Sequence, residues 1–434
     1  MRRLDVYLDG EFVGEIEQAD SGAVVFEYDR AYQNRRPQTP LSLSLPLERA
    51  RHRGKPVMAF LAGLLPDSEG RLRALGSEYG VSPKNPVALL EHVGADAAGA
   101  VQIVPHGGES CDAALRRGDV TMHDDAEFAE IIADVIRNRD SWSTPRSPGR
   151  WSLPGAQPKI ALFRTETGQW GTPRDSTPTT HILKPSVPPY SDHHINEFMT
   201  MAAARHLGLE VAKEQILETV LGDFVFVSER YDREERDGVW HRLHQEDLCQ
   251  AMSVMPEQKY QSDGGPGITQ IARLLTSATA GQHREQARRG FYDSLVFNLA
   301  MQGTDAHAKN YSLLLDRGEV RLAPLYDLGS HAAYPAAGGR ALQLAMSVNG
   351  EYRINAIGVK QLGKVGTALG LSQDEAEARA HEILGFTPDA FDAAAEEALA
   401  IPALQDARNR EFARHLASEV RQYAETRGWA GPRR

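Results

Sequence analysis

A change of hydrophobic period partway along this chain limits the folds open to it. Up to about residue 240, apolar runs of strand length recur: "LDVYLDGEFVGEIE" (4–17), "AGAVQIVP" (98–105), "KIALFR" (159–164), "THILKP" (180–185) and "FVFVSERYDR" (224–233). The first alternates apolar and polar residues around Asp9-Gly10, which predicts a β-hairpin. Helical stretches lie between the strands. "VMAFLAGLLPDSEGRLRALGSEYG" is interrupted by Pro66, "DDAEFAEIIADVIRN" takes its cap from Asp124 or Asp125, and "INEFMTMAAARHLG" follows the strand at 180–185. From about 245 onward nearly everything reads as helix. In "QARRGFYDSLVFNLAMQG", Phe291, Leu295 and Leu299 share one face. The expectation is an α+β fold in which a strand-rich lobe precedes an all-helical one. At 434 residues the chain exceeds one ordinary core. The pattern divides it into an N-terminal α/β subdomain at 1–110, a strand-rich lobe at 111–240 and a helical lobe at 241–434.

Composition excludes several classes. No run approaches the roughly 18 uncharged apolar residues of a membrane helix, and "MRRLDVYLDGE" lacks the apolar stretch of a secretory signal. A cytoplasmic protein is expected. Two cysteines, Cys111 and Cys249, make neither a disulfide framework nor a metal cluster, and read as reduced thiols. A net charge of −11 disfavours nucleic-acid binding over the whole surface. Two stretches are locally basic, "ERARHRGK" (48–55) and "RNRDSWSTPRSPGR" (137–150). Solvated loops explain them, with local anion or DNA contact as the alternative.

The stretch "NLAMQGTDAHAKNYSLLL" (298–315) crowds Asp305, His307, Lys309 and Asn310 between two apolar segments. Asp305 and Asn310 have the spacing of a kinase catalytic loop, in which an Asp takes a hydroxyl proton and an Asn five positions on ligates a metal ion. A carboxylate can orient and deprotonate a hydroxyl, and a neutral amide oxygen can bind magnesium without adding charge beside phosphates. Downstream, "RLAPLYDLGSH" offers Asp327 as a second metal ligand. Upstream, Lys184 ends a short strand, and Glu197 on the next helix is placed to orient it. "SLPGAQPK" (152–159) is a small-residue turn whose amides can approach phosphates. Each part alone has a plainer explanation as a loop, turn or surface residue. Their order along the chain does not.

These stretches resemble the HipA family of serine/threonine kinases. The resemblance runs through "PLSLSLPL" (40–47), "LLPDS" (64–68), "LLEHVGADAAGAVQIVP" (89–105), "GAQPK" (155–159), "TPTTHILK" (177–184), "ERYDR" (229–233), "RLHQEDLCQA" (242–251), "KYQSDGGPGI" (259–268), "GTDAHAKNYS" (303–312) and "LAPLYDL" (322–328). It implies a bilobal protein-kinase-like fold, related to phosphatidylinositol kinases, using ATP and magnesium. By motif, Asp305 corresponds to the catalytic base, and Asn310 and Asp327 to metal ligands. Lys184 corresponds to the ATP-phosphate lysine, and Gly155, Ala156, Gln157 and Lys159 to the phosphate-binding loop. Glu229 and Tyr231 correspond to the hinge at adenine, with His307 beside the nucleotide. Ser152 corresponds to the family's inhibitory autophosphorylation site. The implied partners are a helix-turn-helix antitoxin, operator DNA through that complex, and a protein substrate such as an aminoacyl-tRNA synthetase, whose loss slows translation and promotes dormancy. "HQEDLCQ", with Gln245, Glu246 and Asp247, either shapes the substrate side of the cleft or starts a capped helix. The alternatives are a pseudokinase corepressor, a small-molecule or lipid kinase and, more distantly, a metal-dependent hydrolase built on His307.

Overall fold

The computed structural model describes residues 1–35, 37–108, 111, 118–140, 151–188, 192–334 and 341–430. They fall into two compact units, each assembled from three segments. The first takes Met1–Pro185, Glu218–Lys259 and Ser312–Val320, the second Ser186–Leu217, Tyr260–Tyr311 and Arg321–Arg434.

The first unit opens with a five-stranded antiparallel sheet of order β4-β3-β2-β1-β5. Its strands are β1 (Arg2–Leu8), β2 (Glu11–Gln18), β3 (Val24–Tyr28), β4 (Arg51–Arg53) and β5 (Val101–Pro105). Asp9 and Gly10 turn the first hairpin with φ of 48° and 84°. Two successive positive φ values match the right-handed twist of the strands they join. Leu4, Val6, Ile16 and Phe26 point from this sheet into a core shared with two helices. These are α2 (Lys55–Gly63), which contributes Phe60 and Leu61, and α4 (Pro86–Val93), which contributes Leu89 and Leu90. A short α1 (Arg30–Asn34) lies between β3 and β4. Helix α2 stops before Leu64–Asp67, around Pro66, and helix resumes as α3 (Glu69–Tyr79), where Ser68 Oγ accepts from Arg71 N.

A second antiparallel sheet in the same unit has the order β11-β9-β7-β8-β6. It contains β6 (Val120–Met122), β7 (Ile160–Arg164), β8 (Trp170–Pro173), β9 (His181–Pro185) and β11 (Phe224–Glu229). Against it, α5 (Asp125–Arg137) stacks Phe128 on Trp170 with ring centroids 5.4 Å apart. Asp124 is the cap, in a reciprocal box with Glu127. The hairpin of β12 (Arg233–Arg236) and β13 (Val239–Arg242) follows. Next, β14 (His244–Asp247) pairs antiparallel with β15 (Ser312–Asp316).

The second unit is built on α6 (His193–His206), α8 (Ile268–Ala278), α9 (Gly281–Ala300), α10 (Val359–Ala368), α11 (Gln373–Ala400) and α12 (Ala407–Thr426). On α9, Phe291, Leu295 and Leu299 are buried as expected, and so is every residue between them. The all-helical expectation for 241–434 is corrected. Besides β14 and β15, this range holds part of the chain's other short strands, β16 (Glu319–Leu322) and the hairpin β17 (Gln343–Val348) with β18 (Glu351–Arg353). Runs such as "SLLLD" in β15 lack a two-residue alternation, so strand and helix look alike in sequence. Another short strand, β10 (Glu214–Glu218), ends where the chain re-enters the first unit, and α7 (Leu248–Ala251) follows β14.

Candidate active site

The first unit carries the residues assigned to phosphate and adenine. Ser152 is 2% exposed. Its Oγ donates to Leu64 O at 2.7 Å and its N–H to Asp96 O at 3.0 Å. Gly155 has φ +104°, a conformation that disfavours any side chain, and an added Cβ would lie 2.5 Å from Lys159 Nζ. Its carbonyl accepts from Asp67 N at 3.0 Å. Lys159 is buried and donates from Nζ to Pro154 O at 2.7 Å, closing the turn over itself. Ala156 stands exposed and Gln157 half-buried at the tip. Lys184 is buried on β9, its Nζ 5.5 Å from the centroid of Phe226, its partner on β11. Glu229 ends β11 opposite His181. Tyr231 donates its hydroxyl to Gln245 Oε1, and burial pushes its phenol well above the ordinary range.

The second unit carries the residues assigned to chemistry and metal. Asp305 follows α9, and its side chain is 65% exposed. Its main chain is held tightly, because its carbonyl accepts from His307 N and from Asn310 Nδ2, each at 2.8 Å. Tyr260 donates its hydroxyl to Asp305 Oδ1. His307 Nε2 lies 4.0 Å from the same oxygen, and the Tyr260 ring packs edge-on against the buried imidazole at 4.9 Å. The nitrogen of Asn310 is committed to Asp305, and its amide oxygen is the atom that could hold a metal ion. Asp327 has φ 56°, a left-handed conformation that Asp tolerates better than most residues. Its neighbour Tyr326 donates to Lys309 O at 2.8 Å, which ties the Asp327 segment to the Asp305–Asn310 loop. The same segment is fixed further on, where Ser330 Oγ donates to Met301 O at 2.6 Å and Asn196 brackets Ser330 from both sides. Glu197, on the same helix as Asn196, is buried with His193 Nε2 3.4 Å from its carboxylate. A neutral amide oxygen with one carboxylate is an all-oxygen donor pair, of the kind magnesium takes.

Tyr260 and Tyr326 had no role in the sequence reading, because nothing in their local spacing links them to an acid elsewhere. A larger omission concerns "ERYDR". Its Arg230, Asp232 and Arg233 do not face solvent. They are buried with Arg242 and with Asp96 from the "GADAAG" loop. Burial works against ionisation of Asp96, but Arg233, Arg242 and Arg230 hold its carboxyl well below the usual range. Burial, reinforced by Arg230, pushes Arg233 down to about 9, which leaves it charged at neutral pH. The substrate-side alternative for "HQEDLCQ" is also corrected for Glu246. That carboxyl is 1% exposed and packed against Ser42 and Leu43, while Asp247 caps α7.

Elsewhere, the arginines at 49, 51 and 53 are exposed, with Arg51 3.5 Å from Glu27 and 3.8 Å from Glu17. The second basic stretch lies, from residue 141, outside the described residues. Cys111 and Cys249 are buried and form no disulfide. No helix among the described residues is long and apolar enough to cross a membrane.

The mixed helix-and-sheet fold is of the kinase-like class, as its match to a solved HipA structure shows. The HipA-like C-terminal domain matches residues 151–391 and the HipA N-terminal domain matches residues 4–104, and the chain belongs to the HipA family. It is 38% identical over 337 residues to a Sinorhizobium fredii protein named "Putative kinase Y4mE", covering 77% of this chain and 79% of that one. It is 29% identical to the serine/threonine-protein kinase toxin HipA of Shewanella oneidensis, over 96% of this chain and 94% of that protein. A solved complex of HipA, HipB and operator DNA from Shewanella oneidensis MR-1 matches with a TM-score of 0.82 and 27% identity, covering 98% of this chain and 97% of the other.

Proposed function

We propose that the chain is an ATP- and magnesium-dependent serine/threonine protein kinase and the toxin of a toxin–antitoxin pair. The observation that carries this is the Asp305–Asn310 loop, whose carboxylate is open while its main chain is locked by two hydrogen bonds. A base that must meet a protein hydroxyl needs both properties.

Asp305 orients the acceptor hydroxyl and takes its proton. Tyr260 and His307 flank Oδ1, so Oδ2 is the oxygen left for the hydroxyl. Lys184, Lys159 and the amides at Gly155, Ala156 and Gln157 hold the phosphates, and Glu229 and Tyr231 offer main-chain groups to adenine. Magnesium, held by Asn310 and Asp327, would neutralise the charge on the transferred phosphoryl group. Little else is asked of the protein, because phosphoryl transfer is mainly positioning and charge stabilisation. Autophosphorylation at Ser152 switches the enzyme off. A phosphate adds about −1.5 to −2 charge, and the seat of Ser152 beneath Leu64 O has room for a hydroxyl and no cation among its described contacts. The modified loop must leave it, and the phosphate-binding amides leave with it.

The assembly of the Shewanella relative with HipB and operator DNA supports a helix-turn-helix antitoxin and corepression of the operon. The family resemblance supports an aminoacyl-tRNA synthetase as the substrate class, with slowed translation and dormancy as the outcome, in the cytoplasm. The test is incubation with ATP and magnesium, with phosphosites mapped by mass spectrometry beside Asp305→Gln. Phosphate on Ser152 in the wild type alone is the expected result. No transfer by either protein, with ATP still bound, would favour the pseudokinase corepressor instead.

A further inference from the structure

The N-terminal segment matched as a separate family domain contributes a loop, Asp96–Gly99, to the assigned nucleotide frame. Asp96 touches three parts of that frame. Its carbonyl accepts from Ser152 N at 3.0 Å, and the two segments form a parallel bridge between Asp96 and Trp151, at the root of the phosphate loop. Its Oδ2 accepts from Thr179 N at 3.1 Å and Thr179 Oγ1 at 2.6 Å, just before the strand that carries Lys184. Its Oδ1 accepts from Arg233 Nη2 at 3.0 Å and Arg242 Nε at 3.1 Å, at the hinge. Around it the hinge arginines grip the same loop. Arg230 Nη2 donates to Ala97 O at 2.9 Å and Arg233 Nη1 to Gly99 O at 2.9 Å. Asp232 returns the contact by accepting from Gly99 N at 2.7 Å. Thr179 Oγ1 completes the joint, accepting from Arg230 Nη1 at 2.9 Å while it donates to Asp96. Three guanidinium groups and two carboxylates with this many short bonds form a fixed node, because every displacement strands a buried charge.

We infer that Asp96 and Thr179 are positioning residues that set the spacing between phosphate loop, lysine strand and hinge, so that the N-terminal segment sets nucleotide affinity without touching nucleotide. This inference rests on the kinase reading above. It explains why this loop is held to the hinge by buried charge where ordinary domain packing would use apolar contact.

Asp96→Ala is a poor test, since three buried arginines would be left with one carboxylate. Thr179→Val keeps the shape and removes only the hydroxyl that joins Asp96 to Arg230. The full-length protein is titrated with a fluorescent ATP analogue and assayed at varied ATP. Thr179→Val should weaken binding and raise KM for ATP about fivefold or more, since a hydrogen bond to charged partners is lost. Its kcat at saturating ATP should stay unchanged, and Thr179→Ser should restore the affinity. Folded Thr179→Val with wild-type affinity would overturn the inference. If the valine variant does not fold, hydrogen exchange on the wild type decides. ATP should protect the amides at 96–99 together with 152–159 and 229–233, and protection of the last two without the first overturns it. Wild-type protein that binds no ATP would refute the kinase reading itself, and this inference with it.

Discussion

Replacing Glu246 with glutamine should stabilise the first unit above neutral pH and do little below pH 5. Glu246 lies on β14 with its carboxyl 1% exposed, and burial pushes it up to about 8 from an ordinary value of 4.5. The surroundings suit the neutral acid. Oε1 accepts from Leu43 N at 2.7 Å. Oε2 lies 2.5 Å from Ser42 Oγ, which in turn lies 2.7 Å from Ser44 Oγ. A protonated Oε2 can donate to Ser42, whose hydroxyl then donates to Ser44, so every group is satisfied. The folded value lies above the unfolded one, so the folded chain binds the proton more tightly. The contribution to stability is complete below about pH 4.5 and is lost as pH rises toward 8. The rise from 4.5 to about 8 corresponds to about 4–5 kcal/mol across that window, at roughly 1.36 kcal/mol per pH unit. Glutamine reproduces the neutral acid, accepting from Leu43 and donating to Ser42, and cannot titrate. The assay is urea unfolding of both proteins from pH 5 to 8.5, read by tryptophan fluorescence. The gap in unfolding free energy should widen with pH in favour of Glu246→Gln. A gap that stays constant would refute the reasoning, and would mean that the folded protein holds Glu246 ionised.

Two further outcomes bear on the site. Tyr260→Phe removes the donor to Asp305 Oδ1. A bond to a charged group at an exposed position is worth about 1.5 kcal/mol, so kcat/KM for phosphotransfer should fall roughly tenfold. An unchanged rate would mean that the main-chain bonds alone orient the base. Gly155→Ala forces a side chain into φ +104° and against Lys159 Nζ. The strain is about 1–3 kcal/mol, and affinity for an ATP analogue should drop with it. Retained affinity would remove this loop from the nucleotide site.

Much of this molecule was legible locally. The Asp9-Gly10 hairpin, the Asp124 cap of α5 and the buried face of α9 follow from residues within a few positions of one another, where dihedral preference and hydrophobic period act directly. The proposed roles of Lys184, Asp305, Asn310 and Asp327 rest on their order in the sequence, because a phosphoryl-transfer site needs particular residue types and the chain must supply them in some order. The strands β14 and β15 were missed, since short apolar runs carry no distinguishing period and their pairing joins residues about 70 positions apart.

What tertiary structure alone decided is which charges are buried and with whom. In sequence, Asp96, Arg233 and Glu246 look like any other charged residues. Folding brings Asp96 against Arg233 across 137 positions and Glu246 against Ser42 across 204. The cost of burying a charge depends on its final partners and not on its neighbours in the chain, so no local pattern announces it. The sequence by itself determined most of the elements and the kinds of atom available for chemistry. Folding determined that Asp305 stays open to solvent, that Ser152 is seated under Leu64, and that Arg230 and Arg233 hold the Asp96–Gly99 loop, because each of these depends on what the completed core excludes from water.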